Sequence, residues 1–142
     1  MTSQPYSLPA VSLTVSGTPM ASSEARHWTT GELVRLGIPS PGLRDDVELV
    51  VSELVSNAVQ HGVAPIVVTL SYENSALMVS VADTGGPPYA FEARPDHPTA
   101  SHGRGLAIVA TIAIAWGIRA LVPGPGKDVW CRLGHDLTGN AP

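Results

Sequence analysis

The sequence predicts an α+β domain, a two-layer sandwich in which a mixed, mostly antiparallel sheet carries helices on one face. Short alternating segments typical of strands occur in pairs, and the helical segments are grouped between them instead of following each strand. The composition agrees, because 44% of the 142 residues are hydrophobic and 14% are charged, which is typical of a globular chain with a single core.

Periodicity and turn residues predict the individual elements. In chain order these are a strand at residues 11–15, helices at 22–36 and 43–61, strands at 66–72 and 76–82, a helix at 103–113, and strands at 116–121 and 129–133. The first strand alternates apolar and polar side chains. The two long helices are followed by Gly37 and Gly62, and glycine is the residue type that most often follows a helix. The strands at 66–72 and 76–82 are separated by a short polar turn, so we expect a hairpin.

The remaining segments mark the limits of the domain and one long loop. We expect the folded domain to span residues 10–134, with flexible tails at 1–9 and 135–142. Residues 83–102 are rich in proline and lack apolar periodicity, which indicates a loop. Loops longer than about 12–15 residues within a compact domain are usually lids or binding loops.

Charge and hydropathy exclude several classes of function. The formal net charge is −4 and lysine and arginine are scattered, so we expect no direct binding of nucleic acid or of an anionic membrane. The longest apolar run, residues 106–118, is shorter than the about 20 residues that cross a bilayer, and residues 1–10 do not resemble a secretory signal. We therefore expect a cytoplasmic protein. The single cysteine, Cys131, cannot form an internal disulfide and lies in an alternating segment, so we expect a small core residue.

The most informative segment is the second half of the helix predicted at 43–61. Glu53, Asn57 and His61 follow one another at four-residue steps, so a helix places all three on one face. The other faces of this helix are rich in valine and leucine and can pack on a core. A polar stripe on such a helix either faces water or holds a ligand, and this segment alone favours neither.

Two glycine motifs further along the chain favour the ligand. Asp83 follows a predicted strand, where its carboxylate can accept a hydrogen bond from an exocyclic amine, while Gly85 lets the backbone approach a flat ring. Taken alone, this motif is more often a plain turn. Gly103 and Gly105 open the third helix, where free N–H groups can bind phosphates. Each motif alone is weak evidence for a ligand site, but the occurrence of all three in this order is much stronger evidence for one.

With these motifs the chain resembles the GHKL ATPase superfamily, whose Bergerat fold is shared by gyrase, MutL, Hsp-type chaperones and histidine kinases. Residues 53–62 match the N box of that superfamily, 83–85 its first glycine box and 103–105 its second. The short length, the N-terminal strand and residues 126–130 are more closely similar to the RsbW- and SpoIIAB-like anti-sigma factor serine kinases. The resemblance covers roughly residues 10–134.

The resemblance implies roles for the polar stripe. Asn57 matches the asparagine that binds Mg²⁺, a hard cation that prefers oxygen ligands. Glu53 matches the catalytic glutamate, the general base, one helical turn earlier on the same face. For His61 two roles remain open, namely contact with the nucleotide and capping of the helix.

The resemblance also implies which residues bind the rest of the ATP molecule. Asp83 matches the aspartate that recognises the adenine amino group, and Gly85 matches the glycine that packs near the base. The residues matched to phosphate binding form one run at the start of the third helix, namely Gly103, Arg104, Gly105 and Leu106. The direction of the Arg104 side chain stays open.

Two departures from the family pattern concern the lid and the phosphates. Pro87 stands where a further glycine is common, and Ser101 stands where kinase members commonly carry an arginine. Without that cation the γ-phosphate lacks a charge-assisted partner, so ATP binding is better supported than fast phosphoryl transfer.

The resemblance therefore leaves two functions open. One is a serine/threonine kinase that phosphorylates an anti-anti-sigma antagonist and also binds a sigma factor, with homodimerisation possible. The other is a nucleotide-binding regulatory module that acts by protein contact alone. We do not expect a complete sensor histidine kinase or a gyrase-like machine, because neither a dimerisation helix nor a transducer domain is evident in the sequence.

Overall fold

The computed structural model describes residues 7–38, 40–73, 76–85, 102–121 and 125–134. Its elements are, in chain order, β1 (Ser7–Val15), α1 (Ala21–Arg35), α2 (Pro41–His61), β2 (Ile66–Glu73), β3 (Ala76–Asp83), α3 (His102–Ile112), β4 (Ala115–Ala120) and β5 (Lys127–Gly134). All eight predicted elements are present, and most of their ends agree with the prediction to within two residues.

The described strands form one five-stranded sheet with the order β1-β2-β3-β5-β4. All four pairings in it are antiparallel, whereas a mixed, mostly antiparallel sheet was predicted. The predicted hairpin is formed by β2 and β3. The helix α2 packs on β2, β3 and β5, and both α1 and α3 pack on α2. The α+β architecture is therefore confirmed.

The limits of α2 are determined by the residues at its two ends. Its first residue is Pro41, two residues before the predicted start, since proline is tolerated in the first turn of a helix. The Ser40 side chain caps this end by accepting a hydrogen bond from the Leu43 backbone N–H at 3.2 Å. At the other end α2 stops at His61 as predicted, but Gly62 is extended, with φ −104° and ψ −170°, and is not left-handed.

Among the described residues, one hydrophobic core lies between the helices and one face of the sheet. The helix α2 contributes its apolar faces, which contain Val47, Val50, Val51, Leu54, Val55 and Ala58. Alternate residues of β3 and β5 point into the same core, among them Val79, Val81, Val129, Cys131 and Leu133. Cys131 is fully buried as predicted, and desolvation raises the pKa of its thiol to about 12.

Three further expectations concern the ends of the chain, the long loop and membranes. The strand β1 begins at Ser7, four residues before the predicted start, and so includes part of the segment expected to be a tail. Most of the predicted long loop, residues 86–101, lies outside the described residues. None of the helices in the described ranges combines the length and the hydropathy needed to cross a bilayer.

Candidate functional site

The helix α2 places Glu53, Asn57 and His61 on one face, as the spacing predicted. This face borders the core, because Leu54 and Ala58 next to it are buried. Asn57 is 4% exposed, while Glu53 and His61 are half-buried. The polar stripe is therefore a partly sheltered row at the edge of the core and not a fully solvated surface.

Asp83 is the last residue of β3 and continues the inward-facing row of Val79 and Val81, so its carboxylate is only 2% exposed. Its Oδ1 accepts hydrogen bonds from the Gly85 N–H at 2.9 Å and from Lys127 Nζ at 3.0 Å. A longer bond of 3.4 Å comes from the Val63 N–H. Within the described part of the chain all these bonds end on Oδ1, so Oδ2 is the oxygen that remains for a ligand.

Two glycines allow the backbone to pack closely against Asp83. A Cβ on Gly62 would lie 2.5 Å from Cγ and 2.6 Å from Oδ2 of Asp83. A Cβ on Gly126 would lie 2.8 Å from the Asp83 carbonyl oxygen, and Gly126 also has a φ of 132°, a value that strongly favours glycine. Asp83 is therefore closely packed on two sides, its carboxylate against Gly62 and its main-chain carbonyl against Gly126, and a side chain at either glycine would displace it.

The residue after β3 is hydrogen-bonded to the turn that follows α2. The Thr84 N–H donates to the Val63 carbonyl at 2.9 Å, and the Thr84 hydroxyl lies 3.1 Å from the Val63 and Ala64 carbonyls. A Cβ on Gly85 would clash with Cγ2 of Val63. Gly85 is therefore required for this close approach, and its predicted packing against a base stays a prediction. The junction brings the end of the N box to the first glycine box.

The sequence interpretation missed Lys127 as a site residue. It lies opposite Asp83 in the pairing of β3 with β5, its side chain is 0% exposed, and Nζ also donates to the Gly85 carbonyl. The sequence contained a signal that could have identified Lys127, because strand alternation places it on the same face as Val129 and Cys131. A lysine on the inward face of a strand requires a partner, and the partner is Asp83.

The second glycine box forms the first turn of α3, which begins at His102, so Gly103 and Gly105 present the backbone N–H groups that a helix start leaves unpaired. Leu106 is 3% exposed and its side chain lies in the core, so only its backbone could meet a phosphate. The Arg104 side chain and the predicted departures at Pro87 and Ser101 lie outside what the structure describes.

The residues present suit Mg²⁺ only with help from a nucleotide. No group of three or more histidine, cysteine, aspartate or glutamate side chains in the described ranges could hold a metal. A cation here would depend on the oxygen of Asn57 together with phosphate and water oxygens, which is how Mg²⁺ is commonly bound in sites that use ATP.

Comparison with known proteins shows the fold and the family of the chain. A crystal structure of the RsbU and RsbW domains of Rv1364c from Mycobacterium tuberculosis aligns with a TM-score of 0.65 at 22% identity, over 89% of this chain and 32% of that one. At this identity the likeness is one of fold, and the present chain spans about a third of the length of the chain it matches. Among curated proteins no sequence matches the chain. The profile of the histidine kinase-like ATPase domain matches residues 15–132, and the chain therefore belongs to the histidine kinase-like ATPase domain family.

Proposed function

We propose that the chain is an ATP-binding regulatory protein of the anti-sigma factor type. In this proposal it is a cytoplasmic serine/threonine kinase that phosphorylates an anti-anti-sigma antagonist and also binds a sigma factor. Membership of an ATPase domain family and the fold shared with a protein that contains an RsbW domain support this proposal. The observation that carries it is the buried Asp83 carboxylate, which packs against Gly62 and whose Oδ1 accepts the hydrogen bonds of Gly85 and Lys127, so that Oδ2 would be left for a base.

The polar stripe of α2 supplies the groups for phosphoryl transfer. Glu53 and Asn57 are one turn apart on the same face, so the base and the metal ligand are separated by about 6 Å along the helix axis. Glu53 would accept the proton of the attacking serine or threonine hydroxyl. The oxygen of that hydroxyl would form a bond to the γ-phosphorus, and the bond from the γ-phosphorus to the oxygen that leaves with ADP would break. Asn57 would bind Mg²⁺, which neutralises charge on the phosphates.

Binding and transfer are separable by experiment. The first measurement is calorimetric titration of the folded protein with ATP and ADP in the presence of Mg²⁺. We expect Asn57→Ala to lose Mg²⁺-dependent binding, because it removes the metal ligand. We expect Glu53→Ala to bind ATP and to lose transfer of the γ-phosphate to an antagonist protein, because it removes the base.

Gln60→Ala is the matched control, because it removes an exposed carboxamide from the same helix and should leave both measurements unchanged. Absence of binding heat at millimolar ATP in a folded wild-type sample would rule out the proposed function. Full transfer activity in Glu53→Ala would show that the base is another group. Nucleotide binding by the wild type without transfer to any antagonist would favour the non-catalytic regulatory module.

A further inference from the structure

We propose that Lys127 is a positioning residue for base recognition, and that the Asp83–Lys127 pair determines the preference for a base with an exocyclic amine. This inference rests on the proposed binding of ATP and goes beyond it, because it assigns a role to a residue outside all three motifs. Lys127 is not expected to take part in phosphoryl transfer.

The location of the pair is the first argument. Asp83 and Lys127 are directly opposite in the pairing of β3 with β5, and their side chains are 2% and 0% exposed. The neighbouring inward residues Val129 and Cys131 are apolar. Burial removes both charges from water, and such a pair can often be replaced by apolar residues without loss of stability. Stability alone therefore gives a weak reason for a charged pair at this position.

The direction of the hydrogen bonds is the second argument. Lys127 Nζ and the Gly85 N–H both donate to Oδ1 of Asp83, at 3.0 and 2.9 Å, and this fixes the rotation of the carboxylate. Oδ2 is thereby turned to the side of Gly62, where a Cβ would lie 2.6 Å away. Lys127 supplies the charged donor, and charge-assisted bonds are roughly twice as strong as neutral ones.

Lys127 also determines the shape of the turn that follows β3. Its Nζ donates to the Gly85 carbonyl as well as to the Asp83 side chain, so one ammonium group holds both ends of the turn. Removal of this group would free the carboxylate to rotate and would loosen Gly85 at the same time. Both changes weaken the placement of Oδ2 toward a ligand.

The chemistry of a carboxylate determines which bases it prefers. An ionised carboxylate only accepts hydrogen bonds, so Oδ2 suits the exocyclic amine of adenine. A base without this amine leaves the buried oxygen unpaired, and a base with an oxo group brings two acceptors together. The preference therefore depends on Oδ2 being held in place, which is the role assigned to Lys127.

The test compares two nucleotides that differ only in the amine. ATP and purine riboside triphosphate, in which hydrogen replaces the 6-amino group, are titrated with Mg²⁺ into the wild type and into Lys127→Met. The wild type should bind ATP about 10- to 100-fold more tightly than purine riboside triphosphate, which is the gain in affinity expected from one hydrogen bond to a charged group. In Lys127→Met we expect the preference to fall to about 3-fold or less, with purine riboside triphosphate affinity largely retained.

Arg132→Met is the matched control, because it removes a cation from an exposed position of the same strand and should keep the preference of the wild type. A change confined to general stability would weaken both nucleotides equally and leave their ratio unchanged. A wild type that binds ATP without preferring it would refute recognition of the amine by Asp83. A wild type that prefers ATP, together with an unchanged preference in Lys127→Met, would overturn the role of Lys127 alone.

A second variant covers the case in which Lys127→Met does not fold. Lys127→Gln keeps a neutral donor near Asp83, and we expect a preference below that of the wild type because the charge assistance is lost. A preference equal to that of the wild type would overturn the inference. If neither variant folds, even with saturating ATP, the pair serves stability and the positioning role is wrong.

Discussion

Replacement of Gly62 by alanine tests the close packing of Gly62 against Asp83 most directly. The added Cβ would lie 2.5 Å from the Asp83 Cγ and 2.7 Å from the Ala58 carbonyl oxygen. This carbonyl accepts the Gly62 N–H at 2.8 Å in the last turn of α2. The φ of −104° and ψ of −170° suit any residue, so the effect of the substitution is steric and not conformational.

The expected magnitude follows from the two close approaches. Both distances are below 3.0 Å, so either the carboxylate or the end of the helix must move. Overpacking of this kind costs about 1–3 kcal/mol in the free energy of unfolding. Because the carboxylate is the more easily displaced of the two, we also expect ATP affinity to fall by about 5- to 150-fold, the value of one lost hydrogen bond.

Urea unfolding and calorimetric titration with ATP measure the two effects in the same variant. Gly31→Ala is the matched control, because Gly31 lies inside α1 and a Cβ there would have no atom within 4 Å. That substitution should raise the free energy of unfolding by about 0.5–1 kcal/mol and leave ATP affinity unchanged. If Gly62→Ala matched the wild type in both stability and ATP affinity, the dependence of ATP binding on the close packing of Asp83 against Gly62 would be refuted.

Two further predictions concern the turn after β3 and the buried thiol. Gly85→Ala should destabilise the protein because its Cβ would clash with Cγ2 of Val63, and Val63→Ala, at a position 55% exposed, should restore part of the loss in urea unfolding. The pKa of Cys131 is raised from 9.0 to about 12, so the folded thiol keeps its proton above pH 9 while the unfolded thiol loses it. The free energy of unfolding should therefore fall by roughly 1 kcal/mol by pH 10 relative to Cys131→Ala, and equal pH profiles would contradict this.

The sequence predicted the elements and the polar stripe because both depend on local periodicity. Glu53 and Asn57 share a face of α2 at any site where that segment is helical, and Asp83 lies at the strand end that alternation predicted. The reason for Gly62 was not predictable, because it depends on a contact with a residue from another element. The partner of Lys127 was also hidden, because the register of β3 against β5 is a tertiary property.

The same distinction limits what the three motifs can establish about base recognition. They determine which backbone segments meet, but the hydrogen bonds that orient the Asp83 carboxylate come partly from Lys127, which lies 44 residues later and outside these three motifs. A chain with identical motifs and an apolar residue at this position would bury the carboxylate with backbone donors only. Its Oδ2 would be less firmly held, and its preference for adenine would differ from that of this chain. If Lys127 has the proposed role, base specificity depends on the strand pair β3 and β5 as well as on the motifs.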